Sequence, residues 1–391
     1  MTQLTKHIEA IIKERACGSE TNNEVVHYIK QQMEKTSDLV DSLPFDCMTW
    51  KKEYSYVNLD GEELEIFASP FSKGVQTTGK LCSVSTIEEL RVCDMENCIV
   101  LVYGDLTANP ISAKDYPFYY PDEHKEINDI FESRKPKAIL AFTGQASNCG
   151  LNPFPLFEDG NFEIPSAYIE ESKLPLFLRH LNKSVEIEIN SQRLPATSSQ
   201  LVATKKGNKD DLIVVCAHMD SKDDTDGAID NGSGTLVLLR MLELLDGILT
   251  SHTIQFVPYN SEETYHAGGE LVHLEQLKDK KVSYVLNIDT PCFKNNKSQI
   301  SLFNMDNHSK MIKDVVSKEK QLCIGEPWYA GDHMPFAMQG IPTLAVIVED
   351  FNKEGVFYTH TKRDGKELLD EQIIEEVSAS LVNLLLAIDN H

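Results

Sequence analysis

Histidine and acidic residues lie in this sequence directly after short apolar segments, or in the loops that follow them. These residues are His218, Asp220, Asp230, Glu262, Glu263, Asp289 and His360. In an α/β fold, the carboxyl ends of the strands meet at one edge of the sheet, so we expect these side chains to lie close together. Imidazole nitrogen and carboxylate oxygen are ligands for divalent cations, and the pattern therefore predicts a metal site.

Each of these residues taken alone has an ordinary structural explanation. A single histidine after a strand, such as His218, is more often a buried structural residue than a metal ligand. Asp230 lies in the segment GAIDNGSG, where it could cap the helix that follows. Glu262 and Glu263 could form the solvated first turn of a helix. Convergence of all of them on one sheet edge favours the metal site.

The ligand types fit two cations. Two imidazoles, one carboxylate shared through its two oxygens and two terminal carboxylates would give each cation one histidine and one acid of its own. In this arrangement Asp230 is the shared ligand, because a carboxylate can place one oxygen on each cation. Nitrogen and oxygen donors without thiolates favour Zn²⁺, with Mn²⁺ or Co²⁺ as alternatives. Cations about 3.5–4 Å apart form the usual co-catalytic pair.

Short apolar strands alternate with amphipathic helices in the second half of the chain. The predicted strands are 212–217, 253–257, 282–288 and 343–348, and the predicted helices are 233–246, 268–276, 307–318 and 370–388. This alternation indicates an α/β fold with a mixed, largely parallel sheet sandwiched by helices.

The first half of the chain has a different character. Residues 22–36 are predicted to form an amphipathic helix with Thr21 or Asn22 as its N-cap, and 45–57 reads as a strand. Residues 58–195 contain many turn residues between short strands, which is typical of a β-rich module. We therefore predict a catalytic domain formed by 1–57 and 196–391, with 58–195 inserted in it.

Charge and composition exclude several classes of function. The 391 residues carry a net charge of −24, which disfavours binding to nucleic acids or to a membrane surface. No apolar run approaches the ~18 residues of a membrane-spanning helix. The nine cysteines, Cys149 among them, show no CxxC spacing, which suits a reducing compartment. We expect a cytoplasmic protein, or a secreted one if a leader preceded Met1.

The ordered segments HMDS, GAIDNGSG, SEET, NIDT, GDHMPF and YTHTKRD carry a family resemblance. Together they resemble the di-zinc exopeptidases typified by bacterial leucyl aminopeptidases and plasma glutamate carboxypeptidase. The resemblance covers about 200–365 and extends to Arg15–Glu20, which is similar to the family's Arg…Gly-Ser loop. The segment 58–195 resembles a protease-associated domain, a module that covers clefts or mediates dimerisation, so a homodimer is a further expectation.

The resemblance implies a role for each residue of the set. It implies that His218 and Asp289 hold one cation, that Glu263 and His360 hold the other, and that Asp230 bridges them. Glu262 would be the general base. The supporting residues that it implies are Asp220, which would orient His218; Asp364, beside the loop of His360; and Asp332 with His333, at the family's Ser-Asp-His position. Trp328 or Tyr329 could stabilise the oxyanion, and with Asp332 they are the candidates for substrate binding.

Two segments depart from the family pattern. Gly331 replaces the serine of the Ser-Asp-His motif, and Thr264–Gly269 replaces the usual Gly-Leu…Gly-Ser run. Both departures lie beside the predicted site, so they leave the substrate preference open.

The expected activity is that of an aminopeptidase that hydrolyses N-terminal residues of peptides. A carboxypeptidase or dipeptidase of the same family is an alternative, disfavoured because no arginine cluster accompanies the motifs. A glutaminyl cyclase with one zinc is a second alternative, suggested by Ser221 and Lys222 after Asp220. A non-catalytic binding domain is the third, disfavoured because all five ligands and the base are present.

Overall fold

The structure of the protein is a computed structural model that describes residues 2–144, 151–294 and 296–390. Cys149 lies outside the described residues. The chain divides into two compact units, Met1–Cys47 with Thr197–His391, and Met48–Ala196. The predicted division into a catalytic domain, 1–57 with 196–391, and an inserted domain, 58–195, stays a prediction about function.

The described residues form helices and strands in the following order along the chain. The helices are α1 Gln3–Ile11, α2 Glu20–Met33, α3 Ile87–Val92, α4 Asp122–Arg134, α5 Leu174–Leu178, α6 Ser233–Leu244, α7 Gly268–Leu277, α8 Ser309–Val316, α9 Met334–Ala337 and α10 Glu371–Asp389. The strands are β1 Leu39–Lys52, β2 Ser55–Leu59, β3 Glu62–Ala68, β4 Val75–Val84, β5 Cys98–Val102, β6 Ala138–Thr143, β7 Ser166–Glu170, β8 Ser184–Ile189, β9 Ser191–Lys205, β10 Lys209–His218, β11 His252–Tyr259, β12 Val282–Ile288, β13 Ser298–Phe303, β14 Leu322–Ile324 and β15 Thr343–Val348.

The larger unit is built on a mixed sheet with strand order β1-β9-β11-β10-β12-β15-β13-β14. Its centre is parallel, because β10 pairs in parallel with both β11 and β12, and β12 pairs in parallel with β15. The strands β9 and β13 run antiparallel to their neighbours β11 and β15. The predicted α/β fold with a mixed sheet is therefore confirmed, and the parallel centre brings four strand ends to one edge.

Helices cover both faces of this sheet, as the apolar sequence of the central strands requires. Along β10, Ile213 and Val215 pack into a core shared with α6 and α10, whereas Val214 and Cys216 face the other way, towards a core that includes Leu277 of α7. Alternate residues of a strand point to opposite faces, so a strand that is apolar throughout must be buried on both sides. This double burial fixes the strand ends that carry the polar residues.

The smaller unit is a closed barrel with strand order β2-β3-β7-β6-β5-β4-β8. Its strands β4, β5, β6 and β7 pair in parallel, and the remaining pairs are antiparallel. A core that includes Leu101 and Leu140 fills the interior. In the part of the chain that the structure describes, no helix is both long and apolar enough to cross a membrane.

Two local predictions were wrong at element boundaries. The second helix begins at Glu20, and its N-cap is Ser19, whose hydroxyl accepts a hydrogen bond from the backbone N–H of Asn22. Ser19 is extended, as an N-cap must be, so Thr21 and Asn22 already lie inside the helix. The predicted strand 45–57 is two strands, β1 and β2, because pairing is interrupted between Lys52 and Ser55.

Candidate metal centre

The sequence-predicted residues lie at the carboxyl edge of the parallel strands. His218 is the last residue of β10, Asp289 follows β12 directly, and Glu262 and Glu263 come shortly after the end of β11. His360 lies in the long loop after β15. The strand ends therefore bring together side chains that are far apart in sequence.

Asp230 lies between the two histidines, with one carboxylate oxygen beside each. Its Oδ1 is 3.2 Å from Nε2 of His218, and its Oδ2 is 3.2 Å from Nε2 of His360. Asp230 belongs to the irregular turn Ala228–Gly232, and its φ and ψ angles of −117° and 93° are extended rather than helical. This local break in the helix turns the carboxylate towards both imidazoles.

The terminal carboxylates complete two groups of ligand atoms. Asp289 Oδ1 lies 3.6 Å from His218 Nε2, and Glu263 Oε1 lies 3.0 Å from His360 Nε2. Within each group, Asp230 with His218 and Asp289 or Asp230 with Glu263 and His360, the candidate ligand atoms lie within 4.8 Å of one another. Each group thus offers nitrogen and oxygen donors at a spacing that fits one divalent cation.

Glu262 differs from Glu263 in exposure. The Glu262 side chain is 25% exposed and its Oε2 lies 4.0 Å from His218 Nε2, whereas the Glu263 side chain is 6% exposed. Ser261, directly before the pair, has φ of 97°, a conformation that redirects the chain after β11. The pair is therefore divided into a buried carboxylate among the ligand atoms and a more accessible one beside them.

Burial and neighbouring charge shift the pKa values of the cluster in opposite directions. Burial raises the pKa of Glu262 well above its usual range, and the charges of Glu263 and Asp289 raise it further. Burial also acts on Asp230, but hydrogen bonds from His218 and His360 outweigh it and leave the pKa of Asp230 well below its usual range. Burial opposes the charged form of His218, yet the surrounding carboxylates raise its pKa well above normal. The site thus concentrates negative charge, which a divalent cation would offset.

Asp220 is fully buried beside His218 and Glu263. Its Oδ2 accepts a hydrogen bond of 3.1 Å from the backbone N–H of Glu263, and its Oδ1 lies 3.8 Å from Nδ1 of His218. Burial raises the pKa of Asp220 to about 6. Its position suits the predicted role of orienting the His218 ring, and it also holds the turn of Glu263, a contact that spacing alone does not suggest.

Arg15 is completely buried, and its side-chain N–H groups donate hydrogen bonds to backbone carbonyls of the loop after β10. Its guanidinium donates to the carbonyl oxygens of Met219, Asp226 and Gly227, the last at 2.9 Å, and its backbone N–H donates to Ser221 Oγ at 3.0 Å. The planar fork of an arginine can bind several acceptors in a fixed geometry. Arg15 therefore fastens the loop that connects His218 to Asp230.

Two more side chains position Asp230, and sequence reasoning assigned neither contact. Asp364 accepts hydrogen bonds from the backbone N–H groups of Ile229, at 2.7 Å, and Asp230, at 3.2 Å, so it supports the Asp230 turn as well as the loop of His360. Asn231 accepts from the backbone N–H of Thr290 at 3.0 Å and donates to the carbonyl oxygen of Ile288 at 2.9 Å. Asn231 thereby ties the Asp230 turn to the strand end of Asp289.

The three candidates for substrate binding have different environments. Tyr329 is 70% exposed, whereas Asp332 is buried and lies beside the buried carboxyl of Glu270, the first acidic residue of α7. The carbonyl oxygen of Trp328 accepts a hydrogen bond of 2.9 Å from His333 Nε2. Assignment of Trp328, Tyr329 and Asp332 to substrate binding stays a prediction.

The glycine that replaces the family's serine has a structural reason. Gly331 has φ of +102°, and a Cβ atom there would lie 3.0 Å from the Trp328 ring and 3.3 Å from Asn287 Nδ2. Residues with a Cβ rarely adopt this backbone conformation. The indole ring of Trp328 therefore occupies the space beside position 331.

Removal of the Arg15 guanidinium is expected to weaken the site as well as the fold. In Arg15→Met, the carbonyls of the loop lose their donors, and each buried acceptor left without a partner costs about 1–3 kcal/mol. We expect a lower free energy of unfolding together with weaker binding in a Zn²⁺ titration. Arg134→Met is the matched control, because Arg134 also donates to backbone carbonyls, those of Leu90, Arg91 and Cys93, but in the smaller unit. Equal loss of Zn²⁺ affinity in both variants would contradict the role given to Arg15.

The buried carboxyl of Glu270 gives a pH-dependent prediction. Burial raises the pKa of Glu270 from 4.5 to about 8, so its stabilising contribution is complete below pH 4.5 and is lost as the pH rises through about 8. Glu270→Gln has no proton to lose there. The metal-free variant should therefore lose less unfolding free energy than the wild type between pH 4.5 and 8, by on the order of 2–4 kcal/mol.

Denaturant unfolding at several pH values, with a chelator present throughout, measures this difference. Glu275→Gln is the control, because Glu275 lies on the same helix with a side chain that is 67% exposed. Parallel pH profiles for Glu270→Gln and the wild type would contradict this prediction, because they would show that ionisation of Glu270 does not lower the free energy of unfolding.

Comparison with known proteins shows which family this part of the chain resembles. The model of "Peptidase family M28" matches residues 200–385. Aminopeptidase YwaD of Bacillus subtilis (strain 168) is 28% identical over 258 residues, which are 63% of this chain and 55% of that protein. Carboxypeptidase Q of Bos taurus is 23% identical over 317 residues, 77% of this chain and 65% of that protein. The chain thus spans little more than half the length of the first and less than two thirds of the second.

Solved structures share the fold. The aminopeptidase from Aneurinibacillus sp. strain AM-1 superimposes with a TM-score of 0.75 at 19% identity, covering 98% of this chain and 92% of that one. BSAP, described as a zinc aminopeptidase from Bacillus subtilis, gives a TM-score of 0.72 at 20% identity, covering 98% and 93%. The resemblance predicted from the motifs is confirmed, because residues 200–385, which carry all five candidate ligands, match the model of peptidase family M28.

Proposed function

We propose that the chain is a metal-dependent exopeptidase that removes N-terminal residues from peptides. His218 and Asp289 would hold one divalent cation, Glu263 and His360 would hold the other, and Asp230 would contribute one oxygen to each. The observation that carries the proposal is the position of Asp230, whose two oxygens each lie 3.2 Å from a different imidazole. The donor set of imidazole and carboxylate favours Zn²⁺, with Mn²⁺ or Co²⁺ as alternatives.

The chain's own residues supply the proton transfer and the geometry. Two divalent cations supply Lewis acidity at such a site, which activates water and polarises a carbonyl group. Glu262 would accept the proton of the attacking water and pass it to the leaving amine, since its carboxylate is beside the ligand atoms and partly exposed. Asp220 would keep the His218 ring in the orientation that the ligand set needs.

The charge of the surroundings favours the amino end of a peptide over the carboxyl end. A carboxypeptidase needs cationic side chains that bind the carboxylate of the substrate. The guanidinium of Arg15 does not suit this role, because it donates its hydrogen bonds to backbone carbonyls. Arg363 is the arginine closest in sequence to a candidate ligand, and it donates to the carbonyl oxygen of Phe357 and lies 5.5 Å from the Tyr358 ring centre. An acidic site with Glu262 partly exposed suits a substrate ammonium group. The aminopeptidase name of one relative agrees with this choice, and the carboxypeptidase name of another makes the carboxypeptidase the second candidate.

The same proposal covers the smaller unit and the location of the protein. The closed barrel of Met48–Ala196 and its β-rich sequence support a protease-associated domain, a type of module that covers a cleft or mediates dimerisation. A homodimer through this unit is the corresponding expectation. The cysteines of the described ranges are free thiols, which supports a cytoplasmic location.

Hydrolysis of unblocked peptides is the direct test of the proposed function. We expect release of nitroaniline from aminoacyl-nitroanilides, no cleavage of N-blocked analogues, and loss of activity with a chelator that added Zn²⁺ reverses. A panel of C-terminally free, N-blocked dipeptides tests for the carboxypeptidase, and an N-terminal glutamine peptide tests for cyclisation. Cleavage of only the N-blocked substrates, or formation of pyroglutamate alone, would overturn the aminopeptidase assignment.

The two adjacent glutamates should separate catalysis from metal binding. In Glu262→Gln, we expect about two bound Zn²⁺ ions and a turnover lower by several orders of magnitude, because general-base catalysis contributes roughly 10²–10⁴-fold and the amide cannot accept the proton. In the matched variant Glu263→Gln, we expect loss of one ion as well as of turnover. Metal content by elemental analysis and turnover on one nitroanilide measure both effects. Near-normal turnover in Glu262→Gln would exclude it as the base.

A further inference from the structure

The two oxygens of Glu263 have different surroundings. Oε1 lies 3.0 Å from Nε2 of His360 and faces the space shared with Asp230. Oε2 lies 3.4 Å from the ammonium nitrogen of Lys222. One oxygen of this candidate ligand is therefore directed to the metal position, and the other is paired with a positive charge.

The ammonium group of Lys222 is fixed by the main chain as well as by this ion pair. It donates a hydrogen bond of 3.0 Å to the backbone carbonyl oxygen of Glu263, and its side chain is 21% exposed. The neighbouring residue, Ser221, accepts a hydrogen bond from the backbone N–H of the buried Arg15. The position of Lys222 is therefore restricted by its own contacts and by the loop that carries it, in contrast to a surface lysine that samples many positions.

The corresponding carboxylate of the other group has a neutral donor, which contacts the oxygen that faces His218. Asp289 Oδ1 accepts a hydrogen bond of 3.0 Å from the hydroxyl of Thr290. A hydroxyl leaves the negative charge of the carboxylate in place, whereas an ammonium group offsets it. A positive charge beside a candidate ligand also repels a cation directly, and a partly buried position weakens this repulsion less than water does.

We propose that Lys222 makes the two cation positions unequal. It holds the second oxygen of Glu263 and places positive charge beside the position of Glu263 and His360, which therefore binds its cation more weakly than the position of His218 and Asp289. This inference rests on the proposed two-cation function. Its consequence is ordered loading, in which the position of His218 fills first and that of His360 exchanges its cation with solution.

Two effects oppose each other in a Lys222 variant, and their sizes decide the expected sign. Loss of an outer partner disorders a ligand and typically lowers metal affinity by 10–100-fold. Here Asp220 also holds Glu263, through the backbone N–H, so much of the orientation remains without Lys222. Removal of a full charge near a dication is the larger effect, because Coulomb energy scales with the product of the charges.

A stepwise Zn²⁺ titration by chelator competition tests the proposal on the full chain. For the wild type, we expect two steps of different affinity. In Lys222→Met, the weaker step should tighten by roughly tenfold or more, and the tighter step should not change. Lys222→Arg, which keeps the charge, is the matched control and should keep the two steps apart. Glu263→Gln assigns the weaker step, which should disappear in that variant.

Each outcome separates this inference from the function on which it rests. Fewer than two ions bound to the wild type would overturn the proposed cation pair itself. Two ions with an unchanged or weakened second step in Lys222→Met would overturn only the role of Lys222. Lys222→Gln, a second neutral variant, must repeat the result, and unfolding of the metal-free variants in denaturant confirms that they are folded.

Discussion

The site depends on one requirement, which is that the two oxygens of Asp230 reach two different imidazoles. The chain at Asp230 leaves the helical conformation before α6 begins, and the carboxylate projects from this irregular turn. Such a turn has backbone groups that no regular element satisfies. The residues around it satisfy these groups with side chains, Asp364 for two N–H groups and Arg15 for two carbonyl oxygens.

Most of the supporting contacts bring no positive charge to the candidate ligands. The buried guanidinium of Arg15 binds neutral carbonyl oxygens, so it leaves the carboxylates of the cluster unpaired with its charge. Asn231 connects the Asp230 turn to the end of β12 with neutral hydrogen bonds. Lys222 is the exception, since it contacts Glu263 directly, and this exception is what distinguishes the two halves of the site. With the proposed pair of cations, a nearly symmetric set of candidate ligands would thus be unequal in charge.

The convergence of the candidate ligands was predictable because it follows from strand ends. His218, Glu263 and Asp289 stand at the carboxyl ends of apolar runs, and parallel pairing brings such ends to one edge. The supporting contacts were not predictable from spacing, because Arg15 and Asp364 bind backbone groups, which carry no sequence signal. The same limit explains the misplaced N-cap of α2, since Ser19, Thr21 and Asn22 are all residue types that cap helices, and the backbone decides among them.

The buried position of Arg15 also bears on how the larger unit folds. Its acceptors, Met219, Asp226 and Gly227, lie more than 200 residues further along the chain, beyond the whole of the smaller unit. Contacts of such high sequence separation form only after the intervening chain has been closed into a loop, and this closure slows folding. If the barrel folded on its own, it would shorten that loop, because the folded barrel holds its two chain ends at a fixed distance. Completion of the loop around Asp230 would then be a late event, in which the first part of the chain meets the segment after β10.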